Sequence, residues 1–378
     1  MTMAHRVLVV GAGFSGAVVA RELADTGVSV LVIDARDHLG GNCHTERDDD
    51  TGVLVHRYGP HIFNTSIEVV WNYVQRFGTW MPYTNRVKAN IRSGIYSLPI
   101  NLHTINQFFC LRLDPREAEA FLASRASRDF PEPANFEEQA LSFIGEELYQ
   151  AFFYGYTRKQ WGCEPRELPA SILKRIPVRF NYNDNYYASR HQGLPLEGYT
   201  EVIRRILDHP SIAVELNTTW EPAMNADFRH VVYTGPIDQY FGCDLGALGY
   251  RTVYWTRQDG VGDVQGNAVI NHCDLADPFT RVHEHKHFAP WEEHECSLLF
   301  TEFSKETEAG DIPYYPKRLA PDLQLLSAYQ ARAEREANVT FLGRLATYRY
   351  LNMDAVIAEA LEAAPKLLAR LANQPHQT

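Results

Sequence analysis

The sequence predicts an α/β fold in which a nucleotide-binding domain is split between the two ends of the chain. Three observations carry this. A strand, a glycine turn, a helix and a second strand open the chain, and a strand followed by a long helix closes it. Between them the pattern reads first as helices and then as short β-strands. A helical domain and an antiparallel β-sheet domain are therefore expected as insertions into one nucleotide domain.

The opening element, Val7–Val10, is apolar at every position, as a strand buried on both faces must be. It runs into Gly11-Ala12-Gly13-Phe14-Ser15-Gly16. Gly11 permits the tight turn, Gly13 lets backbone approach a pyrophosphate, and Gly16 lets helix and strand pack closely. The helix N-terminus then offers N–H groups to phosphates. A second strand over 28–33 ends in Asp34, at the spacing of an acid that binds ribose hydroxyls. This is a Rossmann-like dinucleotide signature.

The residues that follow favour FAD over NAD. After Ala35-Arg36 comes Leu39-Gly40-Gly41-Asn42. A glycine pair at this place resembles flavoproteins with two dinucleotide domains, where the chain passes beneath the FAD pyrophosphate. Near the other end, Gly343-Arg344 follows a strand over 339–342 and precedes a helix over 352–371. In that flavoprotein class such a helix aims its N-terminus at the flavin pyrimidine, where its dipole favours negative charge on a reduced ring.

The insertions follow from local signals. Thr65 or Ser66 caps a helix carrying Ile67, Val70, Trp71, Val74 and Phe77. Asp114-Pro115-Arg116-Glu117 and Asn135-Phe136-Glu137-Glu138 are helix starts, and Gly145 separates two further helices. Strands are expected over 230–234, 250–257, 267–272, 280–288 and 297–303. The nucleotide domain is then 1–80, about 195–225 and 340–378. About 100–175 forms the helical domain, and about 81–99, 176–194 and 226–339 form the antiparallel-sheet domain.

Composition narrows the function classes. A net charge of -11 argues against non-specific binding to nucleic acid or to anionic membrane, which need a positive footprint. No apolar run reaches the ~18 residues of a transmembrane helix, and Val7–Val10 leads into a glycine turn rather than a signal-peptide cleavage site. Six scattered cysteines without CxxC pairing fit reduced thiols and a cytoplasmic location. The 12% aromatic share is high, and would suit a cleft for flat ligands such as uracil or flavin.

Several longer stretches go beyond a generic flavoprotein. They are His56-Arg57-Tyr58-Gly59-Pro60-His61-Ile62-Phe63, Gly155-Tyr156-Thr157-Arg158-Lys159-Gln160-Trp161-Gly162 and Leu173-Lys174-Arg175-Ile176-Pro177-Val178-Arg179. Residues 233–241, 265–271 and 280–288, and Pro313-Tyr314-Tyr315-Pro316, continue the series in order. Together they resemble the UDP-galactopyranose mutases, in the bacterial form, along nearly the whole chain.

The resemblance implies interconversion of UDP-galactopyranose and UDP-galactofuranose, a precursor of cell-surface glycans, without net redox change. It implies reduced FAD whose N5 attacks the anomeric carbon as UDP leaves. It further implies a cellular reductant such as NAD(P)H, and a homodimer. By the same resemblance Arg175 and Arg281 bind the pyrophosphate, a role suited to bidentate guanidinium. Neither arginine stands out from composition or spacing. Tyr186, Tyr315 and Tyr350 match phosphate-binding tyrosines, Tyr156 the uracil-stacking aromatic, and Trp161 the tryptophan beside the sugar. His61 matches a histidine close to the flavin and Arg251 another active-site arginine. Cofactor contacts are expected from Gly11, Gly13, Phe14, Ser15 and Gly16, and from Asp34, Ala35 and Arg36. Gly41, Asn42, His61, Arg344 and Met353 complete them.

Two positions depart from the family pattern. Asn352 stands where the family often has Asp, so it keeps hydrogen-bonding ability without charge. Asn64 stands where a histidine often follows the His61-Ile62-Phe63 run. On a strand, His283, His285 and His287 would share one face. Imidazoles at that spacing sit ~7 Å apart, and no metal is expected. Buried carboxylates do not stand out, and no general acid–base is assigned. The competing classes are an amine-oxidase-like flavin oxidoreductase and a non-catalytic FAD- or UDP-sugar-binding protein. The first does not account for the paired arginines and the GYTRKQWG run, and the second is disfavoured because nearly the whole constellation is present.

Overall fold

The computed structural model describes residues 7–170 and 178–373. Its nucleotide sheet has five strands in the order Ile212–Glu215, Val30–Ile33, Val7–Val10, His230–Tyr233, Val339–Phe341. Every neighbouring pair is parallel. Parallel pairs need long crossovers rather than hairpins, and two of these crossovers, 34–211 and 234–338, hold the insertions. Val7 and Val9 face the core beneath the helices Phe14–Ala24 and Met353–Asn373, while Leu8 joins a second cluster with Tyr233 and Tyr240. Burial on both faces is why this strand has no polar position.

The boundary expected at 226 gives way here. His230–Tyr233 belongs to the nucleotide sheet and pairs with Val7–Val10 in register, Val7 opposite His230. All four of its residues are buried, as in a central parallel strand. Its place is fixed by an N-terminal partner more than 200 residues away, and proximity to the later β-rich runs is no guide to it.

The larger sheet has seven strands, ordered Tyr315–Pro316, Tyr250–Val261, Cys296–Glu306, Arg281–Glu284, Val269–His272, Val87–Ile91, Gly94–Leu98. It is antiparallel except where Val269–His272 runs parallel to Val87–Ile91. The expected strand over 280–288 stops at Glu284, and His285–Phe288 is a 3-10 turn. A third, three-stranded sheet joins Phe63–Thr65, His191–Pro195 and Trp80–Pro82.

The helical insertion contains Leu102–Phe109, Pro115–Arg125, Phe136–Leu148 and Gly155–Trp161, the last entered through a π-helical stretch Tyr149–Tyr154. Asp114 and Glu117 form the reciprocal capping box that their spacing predicts. Gly145 breaks Phe136–Leu148 at φ 78°, where a side chain would also meet the Arg125 carbonyl at 2.8 Å. The helix Glu68–Gln75 begins at Ile67, whose N–H donates to the Thr65 hydroxyl at 3.0 Å. Among the described residues no helix is long and apolar enough to cross a membrane. All six cysteines are free.

Candidate active site

The glycine turn is built for a ligand rather than for the protein alone. A Cβ on Gly16 would lie 1.9 Å from the Gly11 carbonyl oxygen, and one on Gly11 2.1 Å from the Thr234 hydroxyl. These two glycines are demanded by packing. Gly13 differs, because a Cβ there would meet nothing nearer than Gly41 Cα at 3.8 Å. The space it leaves is the approach a pyrophosphate needs. Gly13 also caps the helix Phe14–Ala24 without a side-chain acceptor, so first-turn N–H groups remain for an anion.

Asp34 does two jobs. Its Oδ2 accepts the Ala12 N–H at 2.8 Å and its Oδ1 accepts that of Arg36 at 2.9 Å, which ties the turn to the second strand. Each oxygen keeps a lone pair for a ribose hydroxyl. Gly40 and Gly41 pass under the turn, with Gly40 N–H donating to the Ala12 carbonyl at 3.0 Å. Arg36 donates to Asn42 at 2.8 Å and stacks over Tyr58, and its Nη1 is buried without a protein partner. Phe14 packs against Tyr199 and Ser15 against Gly343, so both offer the ligand backbone rather than side chain. Ala35 is exposed on the turn after Asp34, and Met353 packs on the core at the start of the closing helix.

Arg344 supplies the clearest sign of an anion-binding role. Its Nε and Nη2 are buried with no protein partner, and the guanidinium lies over Tyr350 at 4.4 Å and Tyr315 at 5.1 Å. A desolvated guanidinium with free donors is costly unless a ligand fills them. The glycine cradle, the Asp34 carboxylate and these two arginines fit a dinucleotide.

His61 lies where the charges of both Arg344 and Arg281 reach it. Its Nδ1 donates to the Gly59 carbonyl at 2.7 Å, which leaves Nε2 as a bare acceptor. Burial above all brings its pKa down to about 4. The Gly59 carbonyl opposes this, and the charges of Arg344 and Arg281 assist it. The ring is neutral at physiological pH.

Arg281 occupies the centre of the seven-stranded sheet. Its register neighbours are Asn271 on one side and Glu302 on the other. Nε donates to Glu302 Oε1 at 2.8 Å, and Glu302, 1% exposed, also accepts the Thr280 hydroxyl at 3.0 Å. Burial opposes the Arg281 charge, yet Glu302 holds the guanidinium well above its ordinary pKa. Tyr156, Tyr186 and Tyr315 all feel the Arg281 charge. Burial raises all three phenols, Tyr315 up to about 12, so each is a neutral donor. Tyr315 stacks on Tyr350 with centroids 5.7 Å apart and lies 6.2 Å from Trp161. The expected substrate-binding aromatics thus converge around one arginine.

Arg251 is enclosed by protein: it donates to Glu306 at 2.7 Å, to Ser304 and the Gln160 carbonyl at 3.1 Å, and to the Lys159 carbonyl at 3.4 Å. Its guanidinium ties down the end of the helix Gly155–Trp161, and a Cβ on Gly162 would strike it at 2.2 Å. Each of its three guanidinium nitrogens thus has a protein partner. Carboxylates that do not stand out in the sequence are buried: Glu302, Glu284 and Asp238 are all 3% exposed or less. No periodicity marks Glu302 or Glu284, whose partners come from neighbouring strands and loops. The histidines of 283–287 do not share a face. His283 and His285 are fully buried, whereas His287 turns out to Asp263 at 3.1 Å and Glu284 at 3.4 Å. Both carboxylates also accept backbone N–H groups, Glu284 from Val264 and Gln265 and Asp263 from Gly266.

Arg175 lies outside the described residues. Asn352 is exposed immediately before the closing helix, its carbonyl accepting the Val356 N–H at 3.1 Å. Asn64 accepts the Ser189 hydroxyl at 2.9 Å and serves the three-stranded sheet. Two residues that the sequence does not single out are Asn85 and Asn271, whose side-chain oxygens are buried without a protein partner. Asn85 also accepts the Tyr186 N–H through its backbone at 2.8 Å.

Comparison with known proteins agrees with this geometry. The UDP-galactopyranose mutase family model matches residues 151–350, and a NAD(P)-binding Rossmann-like domain matches 9–77. The chain is 53% identical to a probable UDP-galactopyranose mutase of Klebsiella pneumoniae, over 97% of this chain and 96% of that one. It is 50% identical to a dTDP-fucopyranose mutase of Escherichia coli, over 95% and 97%. A UDP-galactopyranose mutase of Mycoplasma pneumoniae is 32% identical over 96% of both. In fold the chain is similar to a solved reduced UDP-galactopyranose mutase, with TM-score 0.75 at 17% identity, covering 98% of this chain and 96% of that one. A putative protoporphyrinogen oxidase from Exiguobacterium follows at TM-score 0.66 and 13% identity, covering 99% and 100%. With a family model over half its length and high identity along nearly all of it, the chain belongs to the UDP-galactopyranose mutase family and takes FAD as its cofactor.

Proposed function

We propose that this chain interconverts UDP-galactopyranose and UDP-galactofuranose, supplying galactofuranose for cell-surface glycans. The observation that carries this is the gathering of Tyr156, Tyr186 and Tyr315 about the Glu302-held Arg281, with Trp161 beside Tyr315 and the dinucleotide cradle adjacent. Bound reduced FAD supplies a nucleophilic N5 for displacement of the nucleotide at the anomeric carbon. Arg281 receives the charge that gathers on the β-phosphate, and Arg175 is assigned the same role. Arg281 is preorganised for this, since Glu302 fixes Nε and leaves the terminal nitrogens to face the diphosphate. Tyr156 is placed against the base and Trp161 beside the sugar. Tyr315 and Tyr350 donate to the phosphates, as does Tyr186. His61, neutral and held through Nδ1, presents Nε2 to the flavin.

A second reading rests on the dTDP-fucopyranose mutase at 50% identity. The two substrates share the diphosphate that Arg281 would bind, and differ at the base methyl, the ribose 2′-hydroxyl and the sugar C6. Turnover of each furanose by dithionite-reduced holoprotein, followed by chromatography, separates the readings. Conversion of UDP-galactofuranose at a higher kcat/KM than dTDP-fucofuranose is expected. The reverse order moves the assignment to the deoxy sugar, and no conversion of either, with FAD bound, ends the mutase reading.

A further inference from the structure

Lys159 lies between Tyr156 and Trp161 in the helix Gly155–Trp161. Its ammonium is surrounded by four backbone carbonyls: Asp274 at 2.7 Å, Phe279 at 2.8 Å, His272 at 2.9 Å and Asp277 at 3.0 Å. All four belong to one turn, the connection from Val269–His272 to the strand that begins at Arg281. An ammonium has three N–H donors. Four converging carbonyls therefore resemble the coordination of a dehydrated monovalent cation, the arrangement that backbone oxygens offer potassium.

The charge is spent on this turn. A lysine beside a nucleotide site would ordinarily reach for phosphate, but this one holds backbone instead. The turn closes on the helix a second time, one helical turn away. There a Cβ on Gly155 would lie 2.2 Å from the Cys273 carbonyl oxygen. The charged groups nearby have partners of their own. Asp277 accepts from His272 at 2.8 Å, and Asp274 accepts the Ala276 N–H at 2.9 Å and faces Arg92 at 3.4 Å. Leaving the turn, the chain reaches Thr280, whose N–H and hydroxyl both go to Glu302, and then Arg281. One side chain thus links the helix that presents Tyr156 to the strand that presents Arg281.

We propose that Lys159 is a positioning residue for the mutase reaction. Its ammonium acts as a tethered cation that fixes the distance between the base-stacking Tyr156 and the diphosphate-binding Arg281. This rests on the functional reading given above, which assigns those two residues to the two ends of one nucleoside diphosphate.

The test uses holoprotein and three variants. Lys159→Ala should keep its flavin spectrum and lose UDP affinity about tenfold, with a matching rise in KM and little change in kcat. Potassium or methylammonium should restore much of that affinity, and tetramethylammonium at the same ionic strength should not. Lys159→Met fills the cage without charge, and should be impaired and unresponsive to any of these cations. The proposal is overturned if Lys159→Ala binds UDP as the native protein does, or if small cations fail to separate Ala from Met. Should Lys159→Ala not fold, Asp277→Ala decides, because it removes the turn's tie to His272. A raised KM at native kcat supports the proposal, and native UDP affinity refutes it. A native holoprotein that binds UDP without mutase turnover defeats only the functional reading, and the UDP titration still judges Lys159. One that binds no UDP defeats both.

Discussion

At Arg281, stability and catalysis are lost by different routes. Arg281→Ala strands the Glu302 carboxylate, 1% exposed, and an uncompensated buried charge of that kind costs ~3–5 kcal/mol. With Arg281 binding the diphosphate as proposed, the change also removes charge stabilisation on the departing phosphate, for which ~10²–10³ in turnover is typical of a preorganised donor. The variant should therefore unfold at a lower temperature and yet, assayed well below that temperature, retain FAD and lose turnover by that factor. Release of FAD would mean that the arginine belongs to the cofactor site. The buried histidines make a separate case. Burial, first among the causes, brings His61 and His230 down to about 4 and His285 to about 3, and holds His56 and His283 well below their ordinary values. An unfolded chain protonates these rings near pH 6.5, so below that pH it binds more protons than the folded one. Stability should fall as pH drops from 6.5 towards 4, by up to ~1.4 kcal/mol per unit for each ring. Urea midpoints at pH 7 and pH 5 measure this, and equal midpoints would contradict it. Residues whose task is local were legible: Gly16 and Asp34 act on backbone within a few residues in space and in a fixed motif. Glu302 was not, because its burial and its partner across the ladder depend on strand pairing that no spacing reports.

The helix Gly155–Trp161 shows how an element is aimed. Arg251 ties its last carbonyls, and Gly155 and Lys159 seat it on the 272–279 turn. Arg251→Met should destabilise the protein by ~2–3 kcal/mol through lost charged hydrogen bonds. It should also raise KM while FAD stays bound, since the helix end carrying Trp161 is released. If calorimetry shows the destabilisation but KM is unmoved, the helix end does not contact substrate. Elements announced by their own ends were readable: Asp114 with Glu117, Asn135 accepting the Glu138 N–H, and the break at Gly145. The strand over 280–288 was overextended, because alternating histidines mimic a strand while the chain in fact tightens into a 3-10 turn at His285.

For the whole molecule, the split nucleotide domain was foreseen and one strand was misassigned. His230–Tyr233 is buried at every position, but only the assembled sheet shows that it and Val7–Val10 are neighbours. Gly13→Ala tests the cradle as a unit: the protein has room for the added Cβ, whereas a pyrophosphate held against this backbone leaves none. A folded, colourless protein is the expected product, and one that purifies yellow would show the cradle lies elsewhere. The contact of Gly343 with Ser15 carries the matter further. The first helix is made more than 300 residues before Gly343, Arg344 and the strand Val339–Phe341. Pairing over so long a loop is slow and comes late in folding. The cradle is therefore complete only in a chain made past Arg344. Flavin retention becomes a report on that far segment: a chain cut short before it keeps the glycine signature, lacks Gly343 and Arg344, and leaves His230–Tyr233 as an unpaired sheet edge.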